Sequence, residues 1–158
     1  MPTRLPLALA LAASVAAAPA LAHPDFSGRW AMDASHSDFA GGAAPTSRID
    51  RIVQHDSLLT IDRIVELANG ARQLHNYDLA IDGREHPNTV AGLEIRSTLH
   101  WEGDTLVIAS MQAGPSGDVT AIDRWRLSPA RDTLVIARRF SARGTEVAQR
   151  LVFLRVSE

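Results

Sequence analysis

The 158-residue chain carries 16 basic and 18 acidic residues, no cysteine and 46% hydrophobic residues, for a formal net charge of −2. A slightly acidic protein lacks the basic surface that nucleic acid or an anionic membrane demands, so neither is expected as a partner. Without cysteine there is no disulfide and no thiolate metal site. All 16 basic residues are arginine, which pairs well with carboxylates inside a protein.

Residues 1–22 hold one arginine, Arg4, an apolar run over residues 5–18, and Ala20-Leu21-Ala22, a small-x-small cleavage pattern. This predicts a cleavable signal peptide cut after Ala22 and a periplasmic or secreted protein. The run falls short of the roughly 20 apolar residues of a membrane-spanning helix, and no later stretch approaches that length. No cysteine stands at the cut to carry a lipid. Residues 23–158 are expected to form a single domain stabilised by its core.

That domain opens with FSGRWAMDASHSDF, residues 26–39: a glycine two positions before a tryptophan, then an aspartate, then Ser-Asp-Phe and a Gly/Ala/Pro-rich connector. This stretch resembles the opening of the lipocalin-like secreted proteins of bacteria, members of the calycin barrels. The resemblance implies a β-barrel with Trp30 plugging one end and a late arginine, Arg150 or Arg155, stacked on that tryptophan. The chain departs from the larger secreted lipocalins in two ways. It ends almost directly after the last predicted strand, residues 147–156, leaving no room for a packed helix, and Ile122-Asp123-Arg124-Trp125 is its nearest approach to a Thr-Asp-Tyr motif.

Residues 37–46, SDFAGGAAPT, read as a loop between the first two strands, anchored by Phe39. Beyond them the chain repeats itself. Ile49-Asp50-Arg51-Ile52-Val53 recurs at residues 61–65, and Asp-Thr-Leu-Val-Ile-Ala occurs at both 104–109 and 132–137, with DSLLTI at 56–61 as a looser copy. Each copy of the second pattern leaves a turn and enters β-branched and aliphatic residues, as the second strand of a hairpin does. Turn signals at Asn69-Gly70, Asp82-Gly83, Gly103, Gly114-Pro115, Ser128-Pro129 and Arg143-Gly144 separate the runs. Short links force sequential antiparallel pairing, and closure removes exposed edges. The predicted fold is all-β, an antiparallel up-and-down lipocalin-like barrel of about eight to ten strands.

Alternation sorts the strands into two faces. The more apolar sets are expected inside: Leu59, Ile61, Arg63, Val65; Gln73, His75, Tyr77, Leu79, Ile81; Ile95, Ser97, Leu99, Trp101; Val119, Ala121, Asp123, Trp125, Leu127; Leu134, Ile136, Arg138, Phe140; and Val147, Gln149, Leu151, Phe153. Among them Arg63, His75, Tyr77, Asp123, Arg138 and Gln149 are candidates for ligand contact, because a buried charge needs a partner and an apolar cavity with convergent polar groups suits a small amphiphile. Arg63 or Arg138 would hold a lipid-like carboxylate by paired N–H bonds, with Tyr77 or Gln149 adding another. The competing expectation is a filled barrel in which Arg138 and Asp123 neutralise each other.

Two further readings compete with ligand binding. No nucleophile elbow, phosphate loop or cofactor motif appears, and the six histidines show no ligand spacing, which leaves an enzyme resting on an acid–base pair from His75 and Asp123. A copper site would need His23, the first residue after the predicted cut, joined by His36 or His100; no metal site is expected. The third reading is an envelope interaction module, suggested by an apolar outer row of Val152, Leu154 and Val156 that either faces a partner or lies under the 37–46 loop.

Overall fold

A computed structural model describes residues 23–115 and 117–157; the predicted leader lies outside them. Ten strands follow in order: β1 (Gly28–Met32), β2 (Ser47–His55), β3 (Leu58–Glu66), β4 (Arg72–Ala80), β5 (Glu85–Val90), β6 (Leu93–Glu102), β7 (Thr105–Gln112), β8 (Val119–Leu127), β9 (Thr133–Ala142) and β10 (Thr145–Val156). The only helical turn among the described residues is a 3₁₀ segment, Ala34–His36, capped by the Asp33 carboxylate, which accepts from the Ser35 and His36 amides. No helix among the described residues is long and apolar enough to cross a membrane.

Every strand pairs antiparallel with its chain neighbour except β4 with β5, and β1 lies between β2 and β10. The result is a nearly closed up-and-down barrel. At the remaining seam β4 and β5 lie side by side without a ladder. The Asn88 side-chain amide, on β5, donates to the Asp78 carbonyl, on β4, at 2.9 Å.

The repeats explain part of the register. Ile49 to Ile52 pairs with Ile61 to Ile64 head to tail, so Asp50 faces Arg63 and Arg51 faces Asp62. Because neighbouring positions point to opposite faces, Asp50 and Arg63 turn inward and Arg51 and Asp62 outward. The two copies of Asp-Thr-Leu-Val-Ile-Ala lead into β7 and β9, placing Leu106, Ile108, Leu134 and Ile136 in the core.

One end of the barrel, its base, is closed by aromatic residues. Trp30 is fully buried, and its indole N–H donates to the Phe26 carbonyl at 2.9 Å. The Arg155 guanidinium stacks on Trp30, 4.3 Å from the ring centre, and donates to the carbonyls of Ser27 and Arg131. Of the two arginines expected there, Arg155 occupies the place. Gly28 makes it possible: its φ is +142°, and a Cβ would collide with the Arg155 guanidinium.

The alternation rule meets two corrections. Gln73 and Val119 stand at the mouth ends of their strands, beyond the packed layers, and are exposed instead of buried. The apolar outer row is also broken. Val152 is buried where residues 33–38 cross β10, its carbonyl accepting from the Asp33 amide at 2.8 Å and its amide donating to Ser37 Oγ at 2.9 Å, while Leu154 remains 45% exposed.

Candidate ligand site

Midway along the barrel the inward faces carry charge instead of hydrocarbon. The ladder brings Asp50 on β2 opposite Arg63 on β3, and Arg63 opposite His75 on β4. Likewise Asp123 on β8 stands opposite Arg138 on β9, and Arg138 opposite Gln149 on β10. These two clusters share their cavities. Arg63, Tyr77 and Arg138 line both a lower lobe of about 230 Å³ and an upper lobe of about 280 Å³ nearer the mouth.

The six sequence-predicted residues thus divide between the lobes. Asp123 lines the lower lobe only, whereas His75 and Gln149 line the upper one, where Gln149 also donates to the Phe39 carbonyl at 3.1 Å. Below the charged layer the walls are Ile61, Leu79, Ile95, Ile108 and Trp125, relieved by the Ser97–Ser110 hydroxyl pair at 2.9 Å. Above it Met32, Phe39, Pro45, Val65 and Leu67 surround the cavity. A wider groove of about 560 Å³ lies at the base between Pro24, Glu102 and Arg131, and shares no residue with either lobe.

Two residues central to the layer escaped the sequence reading: Arg48 and Asp50, both buried. Asp50 accepts from Arg48 at 2.6 and 3.0 Å and from Arg63 at 3.0 to 3.2 Å, so one carboxylate serves two guanidiniums. Arg63 also donates to the Tyr77 hydroxyl at 3.3 Å, and Arg48 lies over the Phe153 ring. Asp123 takes a two-pronged contact from Arg138, both bonds 2.7 Å. The layer therefore holds three guanidiniums against two carboxylates.

Burial by itself would raise the Asp50 carboxyl, but the charges of Arg63 and then Arg48 outweigh it and hold the group well below the usual carboxylate range. Burial pushes Arg48 down, and the like charge of Arg63 adds to that. For Arg63 burial is outweighed by Asp50, and for Arg138 by the hydrogen bonds and charge of Asp123, so both stay firmly cationic. His75 is lowered by burial and by the charges of Arg63 and Arg48, all of which disfavour its charged form.

Among the described residues two buried polar side-chain atoms have no partner: His75 Nδ1 in a wall of the upper lobe and Trp125 Nε1 in a wall of the lower. His75 and Asp123 are not in contact; the carboxylate is occupied by Arg138, and the two line different lobes. The remaining histidines are dispersed. His23 stacks on Trp101 with ring centres 4.3 Å apart, His36 bonds Asp33, His86 bonds Asp82, and His100 lies beside Glu102. Among the described residues no three His, Asp or Glu side chains converge as a metal site would require.

Solved structures share this overall fold. The zebrafish ileal bile acid-binding protein complexed with cholic acid superposes with a TM-score of 0.57 over 83% of this chain and 98% of its own, at 16% identity. The shared fold is an up-and-down β-barrel. Secretory abundant heat soluble protein 4 from Ramazzottius varieornatus gives 0.60 over 87% of this chain and 100% of its own, at 12% identity. The Schistosoma mansoni fatty acid binding protein in complex with arachidonic acid gives 0.56 over 84% and 96%, at 13%. At such identities the likeness is one of fold. No protein-family model matches this chain, and no curated protein matches it.

Proposed function

We propose that the protein is an exported carrier that holds a small acidic amphiphile inside the barrel, with the anionic group of the ligand on the arginine layer. One observation carries this reading: three guanidiniums, Arg48 buried and Arg63 and Arg138 half-buried, face two buried carboxylates, leaving a cation surplus in a site walled by hydrocarbon. An uncompensated buried charge costs several kcal/mol, and an anion supplied by a ligand removes that cost. Arg48 and Arg63 share one carboxylate, so their remaining N–H groups are the ones to receive it, with Tyr77, Gln149 and Arg138 around them. Two of the similar structures hold acids of this kind, cholic acid and arachidonic acid. The leader pattern in residues 1–22 and the 26–39 opening support export.

Native mass spectrometry of the protein purified from its own compartment tests the reading, alongside the same sample denatured. An added mass of an organic acid, lost on denaturation and absent from Arg63→Met, is the expected result. A bare mass that persists after incubation with a mixed lipid extract overturns it.

A second reading, an envelope interaction module, has its own observation. Leu74, Ile64, Ile49, Ala31 and Leu154 are successive register partners across the outside of five strands, and Leu74 and Leu154 are exposed. Such an apolar row fits a protein partner. Sedimentation over a wide concentration range separates the two: a monomer throughout removes self-association.

A further inference from the structure

The interior cavity is unevenly furnished, and this bears on which acids it accepts. The lower lobe, about 230 Å³, is closed below by Trp125, which packs edge to face against Phe26. An apolar cavity of about 150 Å³ is enough for benzene, so the lower lobe has room for a fused two-ring body. A long alkyl chain does not fit there. A chain that enters this lobe exceeds it, and the remainder has to pass Arg63, Tyr77 and Arg138, which line both lobes, laying methylenes against charged groups.

The polar groups of the lobe also point to a particular ligand pattern. Trp125 is 1% exposed, and its indole N–H, a donor only, has no partner. The Ser97 and Ser110 hydroxyls bond each other, which uses the proton of one and leaves the O–H of the other free to donate. A buried donor without a partner is uncommon in a folded protein and marks a place where a ligand atom can complete the set. At the opposite limit of the lobe stand Arg63 and Arg138.

We infer that the preferred ligand is a compact ring acid. Its carboxylate sits on the Arg63–Arg138 layer, its fused-ring body fills the lower lobe, and an oxygen on the ring end remote from the carboxylate accepts from Trp125 Nε1 or the Ser97–Ser110 pair. This rests on the carrier reading above and sharpens it from amphiphilic acids in general to short, rigid ones that are polar at both ends.

The test is calorimetric titration of the whole protein with three probes: palmitate, a naphthoate, and a hydroxynaphthoate bearing its hydroxyl on the ring remote from the carboxylate. The hydroxynaphthoate is expected to bind tightest, about fivefold better than the naphthoate, the difference one neutral hydrogen bond makes. Trp125→Phe keeps the aromatic packing while deleting the N–H, and Ser97→Ala deletes one hydroxyl. Together they should abolish the preference for the hydroxynaphthoate, read within each variant as the ratio of its affinity to that of the naphthoate. Circular dichroism confirms that both variants fold. Palmitate binding as tightly as the ring acids, or a preference that survives both substitutions, overturns the inference and leaves the carrier reading standing. Failure of all three acids to bind overturns the carrier reading itself.

Discussion

Asp50 and Arg63 face each other inside the barrel because the same four residues, Ile-Asp-Arg-Ile, occur on both β2 and β3 and pair antiparallel. Any head-to-tail alignment of that motif opposes an aspartate to an arginine on each face of the sheet. The outer pair is left to solvent, with Asp62 accepting instead from Asn76 at 2.6 Å. The inner pair becomes the anchor of the charged layer.

Asp50→Asn should therefore be among the most damaging single changes. It leaves Arg48 and Arg63 buried together without a counter-charge, and breaking a buried pair from one side costs about 3–5 kcal/mol. Urea denaturation measures this. A loss under 1 kcal/mol would mean that the layer is far wetter than its burial indicates.

Arg63→Met behaves differently. It leaves the Arg48–Asp50 pair intact and cancels the cation surplus, so stability should change little while affinity for an organic acid falls at least tenfold, the worth of a charge-assisted bond of about 1.5–3 kcal/mol. Retained affinity would remove Arg63 from the site.

At the base, Trp30→Ala should cost about 3–5 kcal/mol as a fully buried aromatic is lost. Gly28→Ala should act on the same plug at a distance, displacing Arg155 from the ring because its Cβ occupies the guanidinium's place. Loss of the near-ultraviolet circular dichroism of Trp30 in Gly28→Ala, matched by Arg155→Met, is the expected signature. An unchanged spectrum would dissolve the link between Gly28 and Trp30.

The pH response follows from His75. Its folded value lies below the ordinary 6.5, so between the two values the unfolded chain binds more protons than the folded one, and stability rises with pH. The contribution is complete above 6.5 and is lost as pH falls through the folded value. A second, more acidic loss comes from Asp33, held at about 2 by hydrogen bonds from Ser35 and His36: its contribution is present above 3.8 and disappears as pH drops toward 2. Thermal melts of His75→Asn across the first window should show a flatter slope than the parent protein; an unaltered slope would assign the titration elsewhere.

Much of the barrel was legible in the chain because period-two alternation, turn residues and hairpin repeats agreed on each strand. The inward phase of β3, β4, β8, β9 and β10 followed from hydrophobic count, and it turned Arg63, His75, Tyr77, Asp123, Arg138 and Gln149 into the interior, where Arg63, Tyr77 and Arg138 line both lobes, Asp123 the lower, and His75 and Gln149 the upper. β2 defeated the same rule. Its buried alternation is Arg48, Asp50, Ile52, two charges and one apolar residue, while Ile49 and Val53 on the other face look like core. Hydrophobicity thus pointed outward where charge pairing pointed inward, and only the duplicated Asp-Arg, aligned antiparallel, held the signal for Asp50. The looser copy DSLLTI misleads in a related way: Leu59 and Ile61 are buried and Leu58 is exposed, one position out of phase with Leu106 and Leu134. The unpartnered indole of Trp125 had no sequence signal, since which polar atoms lack partners is decided by packing from several strands.

The strand order also fixes how this cylinder is assembled and where it gives. Pairing of β1 with β10 joins the first described strand to the last, so it is the longest loop closure in the fold and waits for the whole chain. The opposite line, between β4 and β5, has no ladder to break. The wall is thus clasped where the first and last described strands meet and left as an unstitched hem on the far side. Amide protons along that hem should exchange first when the protein breathes, well before those of β1.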